Sequence, residues 1–335
     1  MMLKVVNSLN IQTGHHCLFS GLRHLLVSER PELDARAAEA DIYFESDGLN
    51  LEYNGDLSTM WLASQETIIE QFAASYGLRA QYTFEISPNV LDVFREILLE
   101  NRAVLVFMRS PYLDYHAVFR DGAERNHILL LYGIDEAGKT AFVADTSFLD
   151  VSGQTLSYSG PLSLEHVLAG VWGYAWVEAD PSLSPPPTEA QRFERAVDNI
   201  RRFLGHHNLP SGRFQGLEAY RAYVEDWRRL MDVSPSEFTE TCKNMYYCLR
   251  VGGMMHQLDY FEMFIGRHQD RIRNWDELAR RLTENRNNWK KSLYQLYKIG
   301  LCVQPHKLEA LQDRYFSMLR AQGEWLEAFV DSSNH

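Results

Sequence analysis

Cys17 opens an apolar-periodic run, Cys17-Leu18-Phe19-Ser20-Gly21-Leu22-Arg23-His24-Leu25-Leu26, that follows the polar stretch Asn10-Ile11-Gln12-Thr13-Gly14-His15-His16. A thiol at the start of a helix meets the positive end of the helix dipole and unpaired amide donors, and both favour a thiolate nucleophile. Two further groups complete a chemistry. His127 stands in the run Asn126-His127-Ile128-Leu129-Leu130-Leu131-Tyr132-Gly133-Ile134-Asp135, and Asp145 ends Thr140-Ala141-Phe142-Val143-Ala144-Asp145. A cysteine to attack, a histidine to move its proton and an aspartate to fix the imidazole make an acyl-transfer constellation. Each residue taken alone has a plainer reading: a buried cysteine, a strand histidine, a strand-end turn aspartate. Their joint occurrence favours catalysis.

The two apolar runs around His127 and Asp145 are rich in Val, Ile and aromatics and flank the turn residues Glu136-Ala137-Gly138, so they predict a hairpin. A turn centred there sets Asp145 opposite His127 or one diagonal step away, on one face of the sheet. A register slipped by one residue would put them on opposite faces and defeat the proposal. Acyl transfer also needs donors for the developing oxyanion. The Cys17 amide is one candidate and the Gln12 side chain a second, with Thr13, His15 and His16 competing for that position.

Other residue clusters carry less chemistry. Cys242 and Cys248 with His256 lack the close pairs of a structural zinc site, so no metal is expected. Gly252-Gly253 alone does not make a phosphate cradle.

The elements that position these groups read as two domains. Helical spacing covers residues 56 to 76 and the segment Val90, Leu91, Phe94, Ile97, Leu98, while Ala103 to Met108, His127 to Ile134, Thr140 to Ala144 and Trp172 to Val177 read as strands. Residues 1–180 therefore form an α+β catalytic domain. Prolines at 181, 185, 186 and 187 make residues 181–188 a linker, because each lacks an amide donor and restricts its predecessor. Amphipathic segments at 189–204, 216–231, 236–250, 254–272, 275–300 and 305–330 predict an all-helical domain over 189–335.

The formal net charge of -12 is uneven: residues 1–180 hold 11 Lys+Arg against 25 Asp+Glu, and residues 181–335 hold 22 against 20. So acidic a first half argues against nucleic-acid binding. Pairs such as Arg201-Arg202 and Lys290-Lys291 read first as solvated helix faces and second as receivers of an acidic protein. Four cysteines without disulfide-framework spacing, no leader pattern at the N-terminus and no apolar run near the roughly 18 residues that span a bilayer predict a reduced, cytoplasmic protein with no membrane partner.

Cysteine at the start of the first long helix, followed by His and Asp on a late hairpin, resembles the papain-like fold of the C39 peptidase type. More closely, Gly14-His15-His16-Cys17 with Leu22-Arg23-His24-Leu25-Leu26 is similar to the opening of the butirosin biosynthesis protein H family. Ala38 to Phe44, Asp47 to Tyr53 and His127 to Asp135 look like that family's next blocks. Looser likeness continues through Gly216-Leu217-Glu218-Ala219-Tyr220 with Trp227, and through Leu249 to Gly253 with Tyr260-Phe261.

The resemblance implies an acyltransferase of natural-product assembly with Cys17, His127 and Asp145 as its triad. The acyl group would arrive as a thioester on the phosphopantetheine arm of an acyl or peptidyl carrier protein and leave on a small-molecule amine, as an amide or a cyclised product. No bound cofactor is implied. Two departures bear on the acceptor: a glycine-rich family stretch is here Phe44-Glu45-Ser46-Asp47-Gly48, and a family acidic residue is here Arg109-Ser110. Glu45 and Asp47 are candidates to attract a cationic amine, and Arg109 and Tyr112 to border the substrate. The segment Tyr112 to Arg125, or the second domain, would exclude water. Cysteine-dependent hydrolysis and a silent papain-like binding module are the competing expectations, and the latter requires Cys17 buried or out of reach of His127.

Overall fold

The computed structural model describes residues 2–4, 11–33, 38–58, 61–62, 64–120, 124–150, 154–179, 187–205 and 214–333. In chain order the elements are β1 (Met2–Lys4), α1 (Cys17–Glu29), α2 (Glu39–Glu45), β2 (Leu51–Tyr53), β3 (Trp61–Leu62), α3 (Gln65–Tyr76), β4 (Leu78–Thr83), α4 (Val90–Leu99), β5 (Val104–Arg109), α5 (Ala117–Arg120), β6 (Asn126–Asp135), β7 (Thr140–Leu149), β8 (Thr155–Ser163), α6 (Leu164–Gly170) and β9 (Val171–Ala179). Then come α7 (Glu189–Leu204), β10 (Phe214–Gln215), α8 (Gly216–Glu225), α9 (Pro235–Arg250), α10 (Met254–Arg267), α11 (Trp275–Leu301) and α12 (Leu308–Ser332). The chain is mixed α+β, with antiparallel sheets. Two compact units divide it, residues 1–42 with 69–188 and residues 43–68 with 189–335.

The first unit is built on a sheet ordered β4-β9-β5-β6-β7-β8, with β1 paired to the far end of β6. Buried Val104, Val106 and Met108 of β5, Leu129 and Leu131 of β6, and Ala141 and Val143 of β7 meet Val90, Phe94, Ile97 and Leu98 of α4 in one core. Helix α1 packs on β5, β6, β7 and β9. Leu18, Leu22, Leu25 and Leu26 recur at the three-and-four spacing that turns one face inward, and all four are buried. Gly21 permits the close approach, since a Cβ there would lie 2.5 Å from Leu105 Cδ1 of β5.

The β6–β7 hairpin does not keep one register. Near the turn Asp135 faces Thr140 and Gly133 faces Phe142, the odd pairing that would have separated His127 from Asp145. A one-residue bulge at Tyr132 then resets the pairing to Leu131 with Val143 and Leu130 with Ala144. Extended, that register sets Leu129 against Asp145 and leaves His127 two residues along on the same face.

Among the described residues the second unit joins the helices α7 to α12 to a three-stranded sheet ordered β10-β2-β3. It is therefore not all-helical, and residues 43–68 belong to it rather than to the sheet unit that precedes them in the chain. The reason lies in the side chains: Tyr43 stacks on Tyr260 at 4.3 Å, and Phe44 meets Phe261 and Phe264 at 4.6 and 4.7 Å. Asn199 Nδ2 donates to the Phe44 carbonyl at 2.7 Å. The helix expected from residue 56 begins only at Gln65, after strand β3. The six later helices fall within a few residues of their amphipathic segments. Of the proline-rich linker, residues 181–186 lie outside the described residues.

Candidate functional site

The loop before α1 is held from several sides. Gly14 N–H donates to the Thr146 carbonyl at 2.8 Å, one residue beyond Asp145, which ties the approach to α1 to β7. Gly14 has no room for a side chain, because a Cβ would lie 2.2 Å from Ser20 Oγ and 2.7 Å from Glu39 Oε2. The buried Glu39 carboxylate receives the amides of His15 at 3.0 Å and His16 at 2.9 Å. Gln12 N–H donates to His24 Nε2 at 3.0 Å, and His24 Nδ1 donates to the Ser20 carbonyl at 2.6 Å, so His24 is a neutral strut between loop and helix.

His16 caps α1: its Nδ1 accepts the Leu18 amide at 3.2 Å, satisfying one of the helix's orphan donors. The same acceptor role requires a neutral ring. Burial and the nearby His127 hold the His16 pKa down at about 4. Cys17, next in the chain, is half-buried, and its amide as the first of the helix has no acceptor within it.

His127 is the second residue of β6 and is buried, with Met108 of β5 opposite it. Its Nε2 lies 2.7 Å from Asp145 Oδ2. Asp145 is fully buried, and its Oδ1 accepts the Ser147 amide at 3.2 Å. Burial alone would strip the proton from His127, but the Asp145 carboxylate and the Cys17 sulfur, each acting by charge and by hydrogen bond, outweigh it and hold the imidazole well above its ordinary pKa. With Nε2 committed to Asp145, Nδ1 is the ring atom left to serve Cys17. The structure thus brings together all three residues of the expected triad.

The remaining expected site residues fare differently. The Gln12 side chain is exposed, and its described bond is the backbone one to His24. Arg109 is exposed at the end of β5. Tyr112 is half-buried, edge-on to His166 at 6.4 Å. Glu45 and Asp47 fall in the second unit, both buried, and each is committed to an arginine of α7: Glu45 to Arg192 at 3.5 Å, Asp47 to Arg202 at 3.2 Å. Neither offers open anionic charge to an amine.

The sequence points to two residues at the site only as part of the segment Tyr112 to Arg125. Tyr115 donates its hydroxyl to Asp145 Oδ2 at 2.5 Å, and the Phe119 ring lies 4.9 Å from that of His127. Tyr112, Tyr115 and Phe119 have the spacing of a helical turn, but nothing in their types points at Asp145, 30 residues beyond Tyr115. Among the described residues no group of His, Cys, Asp and Glu is arranged to hold a metal, and no helix is long and apolar enough to cross a membrane. No family model matches the sequence, and no curated protein matches it.

Proposed function

We propose that the chain is a cysteine acyltransferase of papain-like type, which takes an acyl group from a carrier-protein thioester onto Cys17 and passes it to an amine. The observation that carries the reading is the contact of His127 Nε2 with Asp145 Oδ2 at 2.7 Å, while the Cys17 sulfur bears on the same imidazole. A half-buried Cys17 within reach of His127 argues against a silent binding module, which needed the thiol hidden or distant.

In the first step the Cys17 thiolate attacks the thioester carbonyl, and the new C–S bond forms as the bond to the pantetheine sulfur breaks. The His127 imidazolium supplies the proton that the departing thiolate takes up. In the second step an amine attacks the acyl-cysteine, His127 removes the amine proton, and the Cys17 thiolate leaves. Asp145 fixes the imidazole tautomer throughout. The Cys17 amide, the first of the helix, is the backbone donor we assign to both tetrahedral intermediates. Transfer between thioesters is close to balanced in energy, and the acyl-enzyme then meets a nucleophile better than water. Selection of an amine over water is the part of the reading supported by the likeness to the butirosin biosynthesis protein H family.

The test is to mix the protein with an acyl-pantetheine thioester, follow the intact mass, and then add a panel of primary amines. The reading expects an acyl adduct that amines discharge to amide faster than water discharges it to acid. Discharge to free acid at a rate indifferent to amine would make the chain a hydrolase instead.

A further inference from the structure

Tyr115 has no part in the two chemical steps above, yet its hydroxyl donates to the same Asp145 oxygen that meets His127 Nε2. Its ring is fixed on three sides. It lies flat on Tyr158 with centroids 4.3 Å apart and planes 3° from parallel, and edge-on to Phe119 at 5.5 Å and Phe148 at 6.0 Å. Tyr158 is the β8 residue directly opposite Asp145, and the β7–β8 pairing bulges immediately afterwards, where Phe148 next faces Leu156. The strand irregularity therefore aims Asp145 at a preformed aromatic wall.

A buried carboxylate shifts and rotates about its last torsion less the more donors its oxygens accept. Here the Ser147 amide holds Oδ1, and Tyr115 and His127 share Oδ2. We infer that Tyr115 is a positioning residue, whose hydroxyl keeps Asp145 Oδ2 turned toward His127 while its ring and Phe119 close that pair to water. The inference rests on Cys17 working with His127 and Asp145. Without the hydroxyl, Asp145 turns or takes up water, its grip on the imidazolium slackens, and the thiolate–imidazolium pair survives over a narrower range of pH. Loss then concentrates at mildly acidic pH, where an ordinary thiol is protonated.

Alkylation of Cys17 by iodoacetamide reads this without any acyl donor. Rates are followed on the full chain between pH 5.5 and pH 10 for wild type, Tyr115→Phe, Tyr158→Phe, Asp145→Ala and the Tyr115→Phe/Asp145→Ala double variant. Tyr115→Phe is expected to slow alkylation about five-fold near pH 6, the scale of one hydrogen bond, and less than about two-fold near pH 10. On the Asp145→Ala background the same change is expected to alter the rate less than about two-fold. Tyr158→Phe, which loses only a bond to the Pro161 carbonyl, should follow wild type. The inference is overturned if Tyr115→Phe tracks wild type, if it alkylates faster near pH 6, if it slows all pH values alike, or if its effect persists undiminished without Asp145. Should Asp145→Ala not fold, the pH dependence of Tyr115→Phe decides alone. A chain that alkylates in the expected pattern but accepts no acyl group keeps this role for Tyr115 and loses the acyltransferase reading.

Discussion

The surroundings of Asp145 in the sheet unit and of Trp227 in the helical unit treat buried polar groups differently. In the sheet unit they converge: Asp145 receives Tyr115, His127 and the Ser147 amide, and Glu39 receives two successive backbone amides. In the helical unit several polar atoms of large aromatics are buried without hydrogen-bond partners among the described residues, at Trp227 and Trp289 Nε1 and at the Tyr220 and Tyr315 hydroxyls, while Trp325 Nε1 and the Tyr223 hydroxyl donate to the Leu278 and Leu57 carbonyls. Trp227, Tyr315 and Trp289 form an edge-to-face chain with centroids 4.6 and 5.0 Å apart. An unpaired buried polar atom costs roughly 1–3 kcal/mol, which only large apolar burial offsets. Around Asp145 donors converge on one carboxylate; around Trp227 packing accommodates polar atoms left unpaired.

That contrast is open to breakage. The largest effect is expected at His127: His127→Ala should slow acyl-adduct formation by about 10²–10⁴-fold, the usual worth of a general acid–base. A loss under three-fold, measured by intact mass over time, would remove the sheet unit's claim to chemistry. Trp227→Ala in the helical unit should instead lower unfolding free energy by about 3–5 kcal/mol in denaturant titration, with Cys17 alkylation unchanged in the folded fraction. The reverse pattern, intact stability with altered alkylation, would contradict the division of labour.

Within the sheet unit the two neighbouring histidines should pull stability in opposite directions with pH. His16 binds its proton less readily folded than unfolded, so between pH 6.5 and about 4 the unfolded chain takes up the proton and stability falls as pH falls. His127 has its pKa raised on folding, so its contribution is full below the ordinary histidine value and is lost as pH rises through the folded one. His16→Asn, which keeps a capping acceptor, should flatten the acid limb by up to roughly 3 kcal/mol. An unchanged limb would mean that His16 titrates normally.

The smallest effect is expected at Asp47. Burial raises its pKa despite Arg202, so the folded state holds the proton more tightly and stability drops as pH rises through that interval. Asp47→Asn should gain less than about 1 kcal/mol at pH 7 and remove that slope, because Arg202 is half in solvent and screened. Loss of amine transfer in this variant, with stability kept, would return Asp47 to the acceptor site.

The helices of the second unit were legible because an amphipathic stripe at period 3.6 survives without knowledge of the partner. Strand β8 was not, since Gly160 and Pro161 read as a turn; the strand stands at the sheet edge, where a missing amide is tolerated. Polar β4, with only Leu78 fully buried along it, left no clear alternation. The grouping of Cys17, His127 and Asp145 was readable from residue types, and the hairpin implied the shared face of the last two. The bulge at Tyr132 that makes the register even was not, because it depends on pairing rather than on composition. Tyr115 and the transfer of residues 43–68 to the helical unit escaped for the same reason: each is a tertiary choice among aromatics that local pattern treats as equivalent.

Cys17 is the residue we propose to carry the acyl group. The most direct test of that role is tandem mass spectrometry of peptides from protein exposed to an acyl-pantetheine thioester, compared with Cys17→Ala. We predict the acyl mass on the peptide containing Cys17 and its absence from the variant. Acylation that falls on Cys242, Cys248 or Cys302, or that persists at wild-type level in Cys17→Ala, would contradict it.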